Sequence, residues 1–160
     1  MKKYCLDTNV LIEAWNKYYS MSLCPSYWAT LANLADKGII FCTDEVKREI
    51  EKTDDGLHQW AKETPKLFRE IDDEVQKQLT KILAKYPKLV DTAKNRSFAD
   101  PWVIAHAIVE KAVVVTKEEP SEDKSKRIKI PDVCIALNIP WMNDFEFLSQ
   151  IGIKFDSSIR

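Results

Sequence analysis

Glycine is scarce in this chain, with three among 160 residues. That scarcity argues against the Gly-rich loops that cradle nucleotide phosphates. The two histidines, His58 and His106, stand apart from each other and from any cysteine cluster. Neither a zinc site nor a Ser-His-Asp or Cys-His catalytic arrangement follows from that spacing. The four cysteines, Cys5, Cys24, Cys42 and Cys134, form no C-x-x-C pair. Cys5 and Cys42 fall inside apolar runs, so reduced, mostly buried thiols of a cytoplasmic protein are expected. No run reaches the ~18 uninterrupted apolar residues needed to cross a bilayer, which predicts no membrane association. Residues 1–15 do not read as a signal peptide. Neither acid nor base predominates: 24 basic against 25 acidic side chains leave a net charge of −1. No overall basic field advertises nucleic acid, although local patches and bound cations set the field at a site.

What is present is an ordinary globular composition, 45% hydrophobic and 31% charged. The length suits one domain over residues 1–160, enough to bury roughly two-thirds of its unfolded surface. Lys3–Leu6, Ile39–Cys42, Ala112–Thr116 and Ile139–Met142 read as strands. Helices are predicted from Ser26 to Gly38, through Val46 and Ile50 behind a Thr43 or Asp44 cap, and from Asp100-Pro101 onward. Phe68, Ile71, Val75, Leu79, Ile82 and Tyr86 recur at steps of three or four, which predicts one long helix over Lys66–Lys85. Asp132–Leu137 reads as a short helix, and Asn143-x-x-Glu146 as a capping box for Phe145–Ile151. The charged stretch Glu118–Lys129 reads as a mobile loop. Strands alternating with helices imply an α/β fold in three layers, a central parallel sheet of four or five strands flanked by helices.

Four carboxylates stand where such a topology brings segments together. Asp7 ends the first strand, and ligands of open α/β sheets bind beyond the carboxyl ends of the strands. Glu49 flanks the buried face of the helix after strand two. Asp100 opens a helix, and Glu118 follows the third strand by two residues. Carboxylates sharing a small space repel one another unless a cation neutralises them. An oxygen-only set with few imidazoles or thiols suits Mg²⁺ or Mn²⁺, and such a centre serves phosphodiester hydrolysis. Glu45 is the substitute for Glu49, while Glu119 and Asp132 compete with Glu118 for the last place. Thr8 and Asn9 are expected to hold the turn that orients Asp7. Lys117, Lys124, Lys126, Arg127 and Lys129 make a basic cluster that either is solvated or contacts a phosphate backbone. Trp15, Tyr18 and Tyr19 either pack or stack on bases.

Four stretches carry a resemblance. Asp7–Ile12 reads D-T-N-V-L-I, and Thr43–Ile50 carries a hydroxyl-x-x-Val-x-x-Glu pattern ending at Glu49. Phe98–Ala107 places Asp100 before an Ile-Ala-x-Ala helix, and Val113–Glu118 is a strand ending in Thr with an acid two residues later. In this order and spacing they resemble the PIN-domain nucleases over nearly the whole chain. Lys129–Cys134 is similar to a PIN-like, VapC-like subgroup associated with toxin–antitoxin loci. The resemblance implies a single PIN-like domain and a Mg²⁺- or Mn²⁺-dependent ribonuclease. Asp7, Glu49, Asp100 and Glu118 would be its catalytic and metal-binding residues, RNA its substrate, an antitoxin protein its partner and a homodimer one assembly. The alternative is a catalytically weak or inactive module that binds RNA or protein. Glu118 departs from the family pattern, where Asp or Asn is more usual, and Pro101 is also uncommon there.

Overall fold

The computed structural model describes residues 1–53, 56–90 and 98–160. Its short apolar runs form five parallel strands: β1 (Tyr4–Leu6), β2 (Ile40–Thr43), β3 (Phe68–Arg69), β4 (Val113–Val115) and β5 (Trp141–Met142). They lie in the order β3-β2-β1-β4-β5. Every residue of the three inner strands is buried, while the edge strands are half-exposed. That burial explains the unbroken apolar runs, because helices cover the inner strands of a parallel sheet.

The helices are α1 (Thr8–Glu13), α2 (Pro25–Asp36), α3 (Asp44–Glu51), α4 (Gly56–Lys62), α5 (Asp73–Lys85), α6 (Asp100–Glu110), α7 (Ile130–Ala136) and α8 (Asp144–Ile151). The first continues as a wider π turn over Ala14–Tyr18. Trp28 of α2 anchors an aromatic core, with Trp15 and Trp60 each 4.9 Å from its ring. Tyr19 lies stacked on Tyr27 at 4.5 Å. Trp15 and Tyr19 therefore pack against the core, and base stacking is not what holds them. Cys5, Cys42 and Cys134 are buried free thiols, and Cys24 is half-buried. His106 is buried with Nε2 facing the Glu70 carbonyl at 3.3 Å. No helix among the described residues is long and apolar enough to cross a membrane.

The sheet of four or five strands is thus a sheet of five, and several boundaries move. The expected Lys66–Lys85 helix is broken: Pro65–Leu67 is a 3₁₀ turn, and Phe68 and Arg69 pair with Cys42 and Thr43 at the open edge of β2. α5 begins only at Asp73, because the Asp72 carboxylate accepts the Val75 N–H at 2.9 Å and caps it there. Phe68 and Ile71 fall on the helical stripe by spacing, but backbone hydrogen bonds to a waiting edge outweigh that register. α2 starts at Pro25, with Cys24 rather than Ser26 at the cap position. α7 starts two residues early, at Ile130, with Asp132 inside its first turn. The Glu118–Lys129 loop is tied back at Ser121, whose N–H donates to both Asp132 oxygens at 3.1 and 3.2 Å.

From β1 the chain steps to β2 on one side and later returns to β4 on the other. The gap beyond the carboxyl ends of β1 and β4 is the topological switch point, where open α/β sheets place ligands.

Candidate metal centre

Parallel pairing of Leu6 with Val115 sets the ends of β1 and β4 side by side, and the Asp7 N–H donates to the Val115 carbonyl at 2.9 Å. The next residues on each strand are therefore Asp7 and Thr116. Asp7 has an extended backbone (φ −77°, ψ 155°) and caps α1, with Oδ1 accepting the Thr8 N–H at 2.7 Å. Oδ2 accepts the Thr116 hydroxyl at 2.8 Å. That hydroxyl in turn accepts the Glu118 N–H at 3.1 Å and the Asn9 amide at 3.5 Å. Asn9 also accepts the Lys117 N–H at 3.1 Å. Thr116 is thus the pivot that ties α1, the end of β4 and the backbone of Glu118 to one carboxylate.

Asp7, Asp100 and Glu118 each bring a carboxylate oxygen within 4.8 Å of the others, and among the described residues they form the one such acidic group. Asp100 arrives from the first turn of α6, and its Oδ2 is buried without a hydrogen-bond partner. Arg127 stands 3.9 Å from that oxygen, beyond hydrogen-bond length. The Arg127 guanidinium is held by the carbonyls of Leu89 and Lys88, at 3.0 and 3.5 Å. The Thr8 hydroxyl, also buried, has no partner either.

Glu49 lines the same cleft of about 500 Å³, together with Thr8, Asn9, Glu13, Lys52 and Phe98. It does not stand in the close triad. Its Oε1 accepts the Ala99 N–H at 3.1 Å, so it fixes the entry to α6 from α3. Glu45 is paired with Arg48 at 2.7 Å and lies outside the cleft. Glu119 is exposed and lines a neighbouring cleft with Phe145. Asp132 is consumed by Ser121 and by the Lys129 N–H at 2.8 Å, as a helix-start acid. Lys117 is not a free cation of the basic cluster. It bonds both oxygens of buried Asp144 at 2.9 and 3.0 Å, beneath the rings of Tyr18 and Phe145 at 4.3 and 4.4 Å. Lys124 lies 3.9 Å from Asp132. Glu13 was not singled out by any motif; its signal is the four-residue step from Asn9, which puts both on one face of α1.

The three acids carry the electrostatic mark of a crowded anion site. Burial first, and the Glu118 charge second, push Asp7 up to about 7, against the bonds from Thr116 and Thr8. Burial, then Asp7, Glu118 and Glu49, lift Asp100 well above the carboxylate range, and Arg127 only partly opposes this. Burial also raises Glu118, opposed by Arg127 and Lys129. Two like charges in a low-dielectric cleft cannot both ionise cheaply, and a divalent cation removes the conflict. The donor set is oxygen throughout, and Asp100 Oδ2 and the Thr8 hydroxyl are the orphaned polar atoms that a hard cation and its water would satisfy.

A family model described as a domain of unknown function, DUF4411, matches residues 4–155. The chain belongs to the DUF4411 family. No curated protein matches its sequence. Among solved structures, the DUF4411 chain is similar to one in the crystal structure of VapBC2 from Rickettsia felis bound to a DNA fragment from their promoter. The TM-score is 0.51 at 20% identity, covering 88% of the DUF4411 chain and 97% of the other. That likeness is one of fold, and the fold of this chain is PIN-like.

Proposed function

We propose that the chain, as one PIN-like domain over residues 1–160, is a divalent-metal-dependent endoribonuclease that hydrolyses RNA phosphodiester bonds in the cytoplasm. The observation that carries this reading is the meeting of Asp7, Asp100 and Glu118 within 4.8 Å at the switch point of the sheet. A bound Mg²⁺ or Mn²⁺ would neutralise charge on the phosphate and make a water acidic enough to act as nucleophile. These three side chains would hold it, with Glu49 serving from the cleft wall.

The chain's own residues then divide the work. Thr116 and the Thr8 N–H hold Asp7 in one orientation, so that little rearrangement is needed on loading. Glu49 holds the first turn of α6 and through it Asp100. Lys52, which lines the cleft, and Arg127 beside Asp100 offer cations to the phosphate backbone. The fold likeness to a VapBC2 chain supports the further reading that the protein is the toxin of a type II toxin–antitoxin pair. An antitoxin protein is then its partner, and a homodimer its assembly. A second reading, a module that binds RNA or protein without cutting, is favoured by the longer Glu118 side chain and by the commitment of Glu49 to Ala99.

Incubating wild type, Asp7→Asn and Asp100→Asn with total RNA, with and without EDTA, separates the two. Cleavage by wild type alone, abolished by EDTA, is the expected result. Cleavage that survives in folded Asp7→Asn and Asp100→Asn overturns the metal site. RNA retention without cleavage in Mn²⁺ establishes the binding module.

A further inference from the structure

At the other end of the sheet, where β4 and β5 begin, α5, the last turn of α6 and the turn from α7 into β5 enclose a second cavity of about 490 Å³. Its inner wall is apolar, with Ile82, Ala107 and Ile139 among the lining residues. Its rim carries Lys81, Lys85 and Lys111, and no carboxylate lines it. Among the described residues none of these three ammonium groups has an acidic partner, and that of Lys85 lies over the ring of Tyr86, itself a lining residue, 5.6 Å from its centroid. Lys111 and Asn138, both at the rim, hold left-handed backbone with φ of 53° and 55°. They are the two non-glycine residues among those described to do so, in a conformation that glycine adopts without strain. The left-handed turns close the C-terminal ends of α6 and α7, and an apolar wall and positive charge without acidic partners coincide beside them at one concave site of small-ligand size.

We propose that this cavity binds a small amphiphilic carboxylate, of the chemical class of a medium-chain fatty acid. The apolar wall takes the hydrocarbon body, and the ammonium groups at the rim take the head group. This site shares no residue with the acidic cleft and does not depend on the nuclease reading.

The test uses decanoate as the probe, titrated into the full chain and followed by amide chemical shifts in two-dimensional NMR. Decanol and decyltrimethylammonium serve as neutral and cationic controls. Saturable shifts confined to the residues around Ala107, Lys111 and Ile139 are expected, with decanoate at least about tenfold tighter than either control. The double variant Lys85→Ala/Lys111→Ala, both exposed positions that leave the core intact, loses that preference about tenfold. Ala107→Leu, which narrows the cavity, weakens decanoate and decanol alike. Equal binding of decanol and decanoate, shifts elsewhere on the chain, or no saturation below about 1 mM overturns the assignment. So does a concentration-dependent mass increase by light scattering that decanoate leaves unchanged and the lysine variant removes, which would make the occupant a second copy of the chain.

Discussion

Replacing Asp7 by Asn in the metal-free protein isolates the cost of crowding the three acids. The Asp7 carboxyl is raised from 3.8 to about 7, mainly by burial. The folded state therefore keeps a proton that the unfolded chain releases between those values. For an acid raised in this way, the stability is fully present below 3.8 and declines as pH rises through about 7, then levels. At about 1.4 kcal/mol per pH unit, with the slope fading above pH 7, the decline between pH 5 and pH 8 is about 3 kcal/mol. That is a large part of the 5–15 kcal/mol that holds a typical domain together. Asn mimics the protonated acid: its Oδ1 accepts the Thr8 N–H, and its amide faces the Thr116 hydroxyl. The hydroxyl proton then loses its acceptor, a pH-independent cost of about 1 kcal/mol. Urea unfolding in EDTA, followed by the fluorescence of the five tryptophans, measures both proteins from pH 5 to pH 8. The stability gap in favour of Asp7→Asn should widen by about 3 kcal/mol over that range. Mg²⁺ at about a hundred times its dissociation constant should return about 2.7 kcal/mol to wild type at pH 8 and little to the variant. Parallel pH profiles for the two proteins in EDTA would refute the reasoning.

Thr116→Val removes the donor that orients Asp7 and should lower Mn²⁺ affinity, read by calorimetry, by about 10–100-fold with the fold retained. Glu49→Gln keeps an acceptor for the Ala99 N–H and should leave thermal stability near wild type, while Glu49→Ala should lose about 1 kcal/mol of it. A comparison of the two variants in RNA cleavage then separates the charge of Glu49 from its hold on α6. Lys117→Met strands the buried Asp144 carboxylate and should cost about 3–5 kcal/mol in urea unfolding, far more than loss of a surface phosphate contact.

The strand-end acids were legible from local pattern because their positions follow from it. A short apolar run must end somewhere, and in a parallel sheet it ends at the ligand-binding edge; hence Asp7 and Glu118. Asp100 was legible as a helix-start acid before a proline. The lost boundary at Lys66–Lys85 has a different cause. Phe68 and Arg69 carry no strand signal of their own, and their pairing is decided by the free edge of β2, more than twenty residues earlier in the chain. Glu49 was legible as an acid flanking a buried helix face. Its commitment to Ala99, fifty residues on, was not, because a backbone N–H leaves no trace in residue identity. By residue type alone, Lys117 belongs with its neighbours to one basic cluster. Its partner Asp144 lies on α8, and only folding brings it beneath two aromatic rings.

By itself the amino-acid order determined the α/β class and marked the acids at strand ends and helix starts, since each follows from contacts within a few residues. Tertiary structure alone decided which carboxylates meet, that Asp132 and Lys117 are consumed elsewhere, and that Thr116 pins Asp7. Those outcomes depend on strand register and on side chains separated by many tens of residues, where distance in space is unrelated to distance along the chain.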